Sequence, residues 1–469
     1  MLAVFGMPGE IEAKAERSDT RSPLKYNRTR AWSTFTSPER HAMYKAFVFV
    51  VTTWLVTAVA SQTTISAEPA LPPAQFEATD WPWWRGPDRN GIAAADQTPP
   101  LKWSQTENVL WKAHVPGRGH GSVTVVGDQT FLATADEQAD KQLVLCFDRN
   151  TGKELWRTVV HDGGIERKGN AKASQASTTI ACDGERLFVN FLNKGAAYTT
   201  ALSRGGEQIW QTKISDYVVH QGYGSSPAIY ESLVIVSADN KRNGGGAIAG
   251  LHRETGKVVW RQERPATPNY PSPIILKAAG RDQVFLTGCD LVSSFAPLTG
   301  EKLWEIEGAT TECVTSTVTD GNIIMTSGGY PKNHMAAVRA DGSGEVVWEN
   351  NVRVYVPSML LHEGTLYGVT DAGVAMCWEA ATGKELWKGR LGGTFSSSPV
   401  MAGEHIFVVN EAGEGFVFKA DSSQFELVAE NQLGNEVFAT PTICASRIYM
   451  RVAEQQGDIR QEMLYCIGK

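Results

Sequence analysis

Twelve polar and aromatic residues stand just ahead of alternating apolar runs, at places where the chain otherwise repeats itself. They are Arg118, His120, Gln175, His220, Tyr223, Asn269, Tyr270, Glu312, Tyr355, Phe395, Glu436 and Phe438. Their types suit recognition: imidazole, carboxylate and amide groups offer donors and acceptors, and the rings offer faces to stack on. His120 and His220 could share a metal ion, but a separation of 100 residues carries no ligand spacing. The sequence holds no GxSxG, HExxH, phosphate-binding loop or CxxC, and no nucleophile with a base at a recognisable spacing. No catalytic residue and no metal ligand is therefore assigned. Varied residues at fixed places on a repeated unit mark a ligand site at the axis of the repeat, with ordinary solvated loops as the alternative.

A second group lies in the strip WPWWRGPDRNG at 81–91, with Trp81, Trp83, Trp84 and Arg85. Pro and Gly stiffen it. Exposed, it would make a carbohydrate- or partner-binding patch, with Arg stacked on Trp. Folded back, it would plug the body and bury its rings. The plug is the expected arrangement, because several exposed aromatics on one strip are a liability.

The elements that must position these groups follow from a recurring phrase: TGKELW at 151–156, GGEQIW at 205–210, TGKVVW at 255–260, TGEKLW at 299–304, SGEVVW at 343–348 and TGKELW at 382–387. A bare NVLW precedes the series at 108–111, and a worn SQFELV follows at 423–428. The anchors Trp111, Trp156, Trp210, Trp260, Trp304, Trp348, Trp387 and Val428 are 45, 54, 50, 44, 44, 39 and 41 residues apart. Such a period marks a repeat architecture. Each unit holds two apolar runs split by a polar turn, a third strand, the TG turn and a Trp-bearing strand, with no sustained helical period. Eight four-stranded units predict an all-β, eight-bladed β-propeller. The final unit stops at its third strand, LYCIGK at 464–469, and the orphan Trp111 strand stands before the first hairpin. That strand is expected to close the ring and remove two open edges. Tryptophans recurring once per unit read as blade packing, not as ligand platforms.

The domains read as a leader and signal peptide at 1–67, a Trp-rich extension at 68–107 and the propeller at 108–469. Ala46 to Ala60, AFVFVVTTWLVTAVA, is uncharged, follows Lys45 and ends in Ala58-Val59-Ala60. It reads as a secretory signal cleaved after Ala60 or Ala67, with Met1 or Met43 as the start. It is short for a membrane span, so no stable span is expected after cleavage. The whole chain carries a net −7, and residues 1–67 hold eight Lys or Arg against five Asp or Glu, so the remainder carries −10. That acidic body argues against a nucleic-acid partner. The expected partner is an envelope protein or a small ligand. Cys146, Cys182, Cys289, Cys313, Cys377, Cys444 and Cys466 are scattered and expected to be buried thiols. The loop Asp239 to Gly246 lacks an EF-hand spacing and is placed between the second and third strands of its blade.

The xxTGKxLW phrase and the SSPxxxxGxIYV-like hairpins resemble the PQQ-like repeat of the quinoprotein alcohol dehydrogenase superfamily, over about residues 108–469. The resemblance implies a propeller. Quinone-dependent members of that superfamily carry a vicinal disulfide, a Ca²⁺ held by Glu, Asn and Asp, and a base Asp. This chain has no Cys-Cys pair, no haem attachment motif and no recognisable calcium set, so no cofactor is expected, with PQQ and Ca²⁺ as the alternative. It looks more like the non-enzymatic members, which include a scaffold of the outer-membrane β-barrel assembly machinery, although it lacks that lipoprotein's lipobox Cys. The strip at 81–91 resembles the WPxWRGPxRxG leader of exported planctomycete-type propellers. The resemblance thus implies an exported, non-catalytic binding or scaffolding module, periplasmic or extracellular. A PQQ-dependent dehydrogenase and a carbohydrate-associated protein are the alternatives.

Overall fold

The computed structural model describes residues 71–241, 245–457 and 459–469. The leader, the signal segment and its cleavage sites lie outside the described residues. The described chain is all-β, in eight four-stranded antiparallel sheets. Blade 1 is Thr124–Val126, Gln129–Asp136, Lys141–Asp148 and Glu154–Asp162, each strand paired with the next. Blades 2 to 7 repeat this order at 181–216, 228–263, 274–307, 318–350, 360–390 and 400–432. Blade 8 takes its three inner strands from 442–467 and its outer strand from Val109–Val115. The register there sets Trp111 opposite Cys466 and Ala113 opposite Leu464. The propeller and its closure by the Trp111 strand are thus as the repeat predicts.

Two devices hold blade to blade. The first is the tryptophan of each TG phrase. The Trp111 indole donates to the Arg149 carbonyl at 3.0 Å, Trp156 to Arg204 at 3.0 Å and Trp210 to Arg253 at 3.0 Å. Trp260, Trp348 and Trp387 do the same to Pro297, Ala380 and Asp421. In each case the acceptor lies on the next blade, in the turn before its outer strand. The turn glycine beneath the ring has two reasons to be Gly. At Gly256, φ is +69°, and a Cβ would stand 2.6 Å from the Trp210 ring. The worn eighth copy has a physical cause. The turn that its side chain would face is on blade 8, where the third and outer strands are joined across the chain termini and no TG turn exists. Trp103 of the extension packs there instead, on Phe407 at 6.3 Å, with its backbone N–H on the Asn431 side chain.

The second device is a belt of hydroxyls around the axis. The Ser122 N–H donates to Thr179 Oγ1, Thr179 to Ser226 and Ser226 to Ser272. Ser316 N–H donates to Ser358, Ser358 to Ser398 and Ser398 to Thr440, all within 2.9–3.0 Å. Each bond crosses one junction between innermost strands. The small residues that open each repeat are therefore inter-blade ties. All seven cysteines are buried and free.

Candidate functional site

The axial channel is closed at one end by the chain itself. Trp81 pairs with Val125 of blade 1, the Cys182 N–H donates to the Pro82 carbonyl, and Ile92 pairs with Met401 of blade 7. Arg85 lies between these contacts, 2% exposed. Its guanidinium donates to the carbonyls of Met359 at 2.7 Å, Pro399 at 2.9 Å and Asn90 at 3.1 Å. Burial pushes this guanidinium down to about 9, which leaves it charged at neutral pH. Trp83 is buried under Arg89, whose guanidinium carbon stands 4.4 Å from the ring centroid. Trp81, Trp83 and Arg85 are thus the seal, and they present no exposed patch. Trp84 alone of the four reaches the channel interior. Its indole N–H donates to Ser316 Oγ at 2.9 Å, between blades 4 and 5, where no Ser272–Ser316 bond of the belt is present among the described residues.

What the seal leaves is a blind chamber of about 560 Å³ with Trp84 as its floor. That is a volume suited to a small ligand. Seven residues expected at the axis line it: His120, His220, Tyr223, Tyr270, Glu312, Tyr355 and Phe438. The others have different work. Arg118 donates to the carbonyls of Ala171, Lys172 and Ala173, and lies 3.6 Å from Glu436 and 5.5 Å from the Phe438 ring. Glu436 pairs with Arg460 and Arg118 outside the chamber. Gln175 faces a neighbouring void. Phe395 is fully buried among blade residues, 5.9 Å from Phe416, with its backbone N–H on the Asp371 carbonyl of the preceding blade. Asn269 is buried behind the wall, donating to Thr287 O and accepting from the Cys313 N–H, so it positions the segment carrying Glu312.

Glu312 is the carboxylate of the chamber wall, its side chain 7% exposed. His220 Nε2 stands 3.3 Å from its Oε1, and Lys241 Nζ stands 3.4 Å from His220 Nδ1 on the far side of the ring. Tyr270 and Tyr355 titrate well above the usual phenol range, first through burial and then through the Glu312 charge. His120 stacks on Phe438 at 4.3 Å. Burial, with Arg118, Arg451 and Arg460 nearby, holds it far below the usual imidazole range, so it is neutral. Its Nε2 is buried without a hydrogen-bond partner among the described residues.

The chamber also holds residues that sequence reasoning missed. Asn170 and Lys172 come from the connection between blades 1 and 2, which runs from 163 to 180 where the other connections take eight to eleven residues. Asn170 N–H donates to Gln221 O at 2.9 Å, and Lys172 Nζ reaches Glu411 of blade 7 at 2.6 Å. With Arg118 holding its carbonyls, this connection is strapped to the mouth of the chamber. The 54-residue gap from Trp156 to Trp210, the longest of the series, was its signal.

PQQ is a tricarboxylate, and its Ca²⁺ takes six to eight oxygen ligands. The lining offers one carboxylate, Glu312, one lysine already paired at the mouth, and two imidazoles, of which His220 is taken up by Glu312 and His120 is stacked on Phe438. Among the described residues no group of three or more His, Cys, Asp or Glu stands where it could hold a metal ion. The donor set does not fit that pair.

Residues 140–340 and 331–424 match the family described as outer membrane protein assembly factor BamB. Over 364 residues the chain is 24% identical to BamB of Burkholderia pseudomallei, covering 75% of this chain and 86% of that protein. It is 26% identical over 231 residues to a polyvinylalcohol dehydrogenase of a Pseudomonas species, covering 45% of this chain and only 33% of that protein's length. The quinohemoprotein alcohol dehydrogenase of Comamonas testosteroni superposes with a TM-score of 0.59 at 14% identity, over 83% of this chain and 80% of that one. That likeness shows the fold alone.

Proposed function

The chain belongs to the family described as outer membrane protein assembly factor BamB, and from that premise we propose that it is an exported, non-catalytic propeller acting as a binding or scaffolding module of the cell envelope. One observation carries this reading: residues 81–92 of the chain close its own axial channel into a chamber whose groups are disposed for contact and not for a reaction. Its Glu312 is paired with the His220 imidazole, and the neighbouring Tyr270 phenol is held protonated, first by burial and then by the Glu312 charge, so it is no activated nucleophile. The signal-like segment at 46–60 and the BamB relative support an envelope location, periplasmic or extracellular, with an envelope protein or a small ligand as partner. Among the described residues no helix is long and apolar enough to cross a membrane.

The partial likeness to polyvinylalcohol dehydrogenase favours a second reading, a quinone-dependent dehydrogenase. The mismatch of the chamber's donors with PQQ and Ca²⁺ weighs against it. The test is to supply the full chain with PQQ, Ca²⁺, a primary or polymeric alcohol and an electron-accepting dye. Dye reduction no faster than the protein-free blank is expected. Turnover with stoichiometric quinone would overturn the non-catalytic reading.

A further inference from the structure

The geometry points to an organic cation, an amine or quaternary ammonium group, as the ligand of the axial chamber, held by Glu312 and faced by the rings around it. This rests on the reading of the propeller as a binding module and names the chemistry of its site.

Charge is the first ground. Cations near the mouth already have partners: Lys172 lies on Glu411 at 2.6 Å, and Arg353 lies 3.8 Å from Asp371 and 5.0 Å from the Tyr355 ring. His120 is neutral. Glu312 differs from all the other groups. It is almost wholly removed from water, yet its ion-pair partner among the described residues is His220, an imidazole and not a fixed cation. Lys241 stands behind that imidazole, its ammonium on Nδ1, and so orients the ring with its Nε2 toward Glu312. A buried carboxylate without a fixed counter-charge is costly to hold. A ligand cation entering the chamber supplies that charge. An anion meets repulsion from Glu312, and a neutral ligand leaves the carboxylate as it is.

Shape is the second ground. Trp84, Tyr270, Tyr330 and Tyr355 line the same chamber as Glu312. The backbone sets two of them there: Glu312 N–H donates to the Tyr330 carbonyl at 3.2 Å, and Tyr270 N–H donates to the Cys313 carbonyl at 3.1 Å. The Trp84 ring is fixed at the floor by its bond to Ser316. Aromatic rings attract a cation within about 6 Å of their centroids, and do so more strongly where water is excluded. Rings and one carboxylate in a blind chamber are the elements of such a cage.

The test is calorimetric titration of the full chain with choline and with 3,3-dimethylbutan-1-ol, which has the same shape without the charge. Saturable choline binding is expected, at least about tenfold tighter than the neutral isostere. Glu312→Gln, checked for native fold by circular dichroism, should close that gap. Should that variant fail to fold, the wild-type pair of ligands decides alone. Equal binding of both ligands, or no saturable choline binding up to millimolar concentration, would overturn the inference. Maltose binding without choline binding would overturn it while leaving the binding-module reading intact, whereas dye-linked turnover with PQQ would overturn that reading itself.

Discussion

Replacing Gly383 by Ala tests the tryptophan docking that joins the blades. Gly383 sits in the TG turn of blade 6 at φ +69°, and an added Cβ would stand 2.5 Å from Cδ2 and 2.7 Å from Cε3 of Trp348. Gly364, in the first hairpin of the same blade, has φ +76° and nothing within 4 Å of an added Cβ. Both substitutions carry the left-handed backbone cost of about 1–2 kcal/mol. Gly383→Ala adds the displacement of a packed ring, about 1–3 kcal/mol, and strains the Trp348 bond to the Ala380 carbonyl. Equilibrium urea unfolding should therefore place Gly383→Ala about 2–5 kcal/mol below wild type and Gly364→Ala about 1–2 kcal/mol below. In a double-mutant cycle, Trp348→Ala should remove the difference, because the clash needs the ring. Equal losses for the two glycine variants, or additivity with Trp348→Ala, would refute docking as the inter-blade tie.

Three further outcomes follow from the site. Arg85→Ala strips donors from three carbonyls, two of them in the channel wall, and should lower stability by roughly 2–5 kcal/mol. Trypsin should then cut within 80–100, and unchanged resistance would contradict the seal. His161, packed 5.5 Å from Tyr198 and 6.0 Å from Phe191, is pushed by burial down to about 4. The unfolded chain binds that proton more readily, so stability should fall as pH drops from about 6.5 to about 4. His161→Phe should flatten the thermal midpoint across that window, although neutral His120 contributes a loss of the same sign. Lys172→Ala breaks an exposed ion pair worth about 0.2–1 kcal/mol. It should leave the unfolding midpoint nearly unchanged but speed proteolysis within 163–176. A large stability loss without faster cleavage would contradict the strap.

The fold was legible because it repeats. Trp156, Trp210 and Trp260 each state the same packing, and the missing fourth strand of LYCIGK names its complement at Trp111. The chamber was legible where its residues sit at equivalent strand entries, as Tyr223 and Tyr355 do, each three residues ahead of a belt serine, Ser226 and Ser358. Phe395 and Asn269 occupy similar places, but the backbone turns their side chains into packing or behind the wall, which spacing does not encode. Trp84 reaches the floor through a bond to Ser316, 232 residues away. No local pattern announces such a contact. Lys172 and Asn170 lie in a polar connection whose length signals an insertion but whose path depends on Arg118 and Glu411.

We propose that the axial chamber takes an organic cation and not a quinone. Equilibrium dialysis of the full chain, against PQQ with Ca²⁺ in one arm and labelled choline in the other, tests it most directly. Choline retained at one per chain and lost in Glu312→Gln, with no quinone retained, is the expected result. Stoichiometric PQQ retention, with choline excluded or indifferent to Glu312, would contradict it.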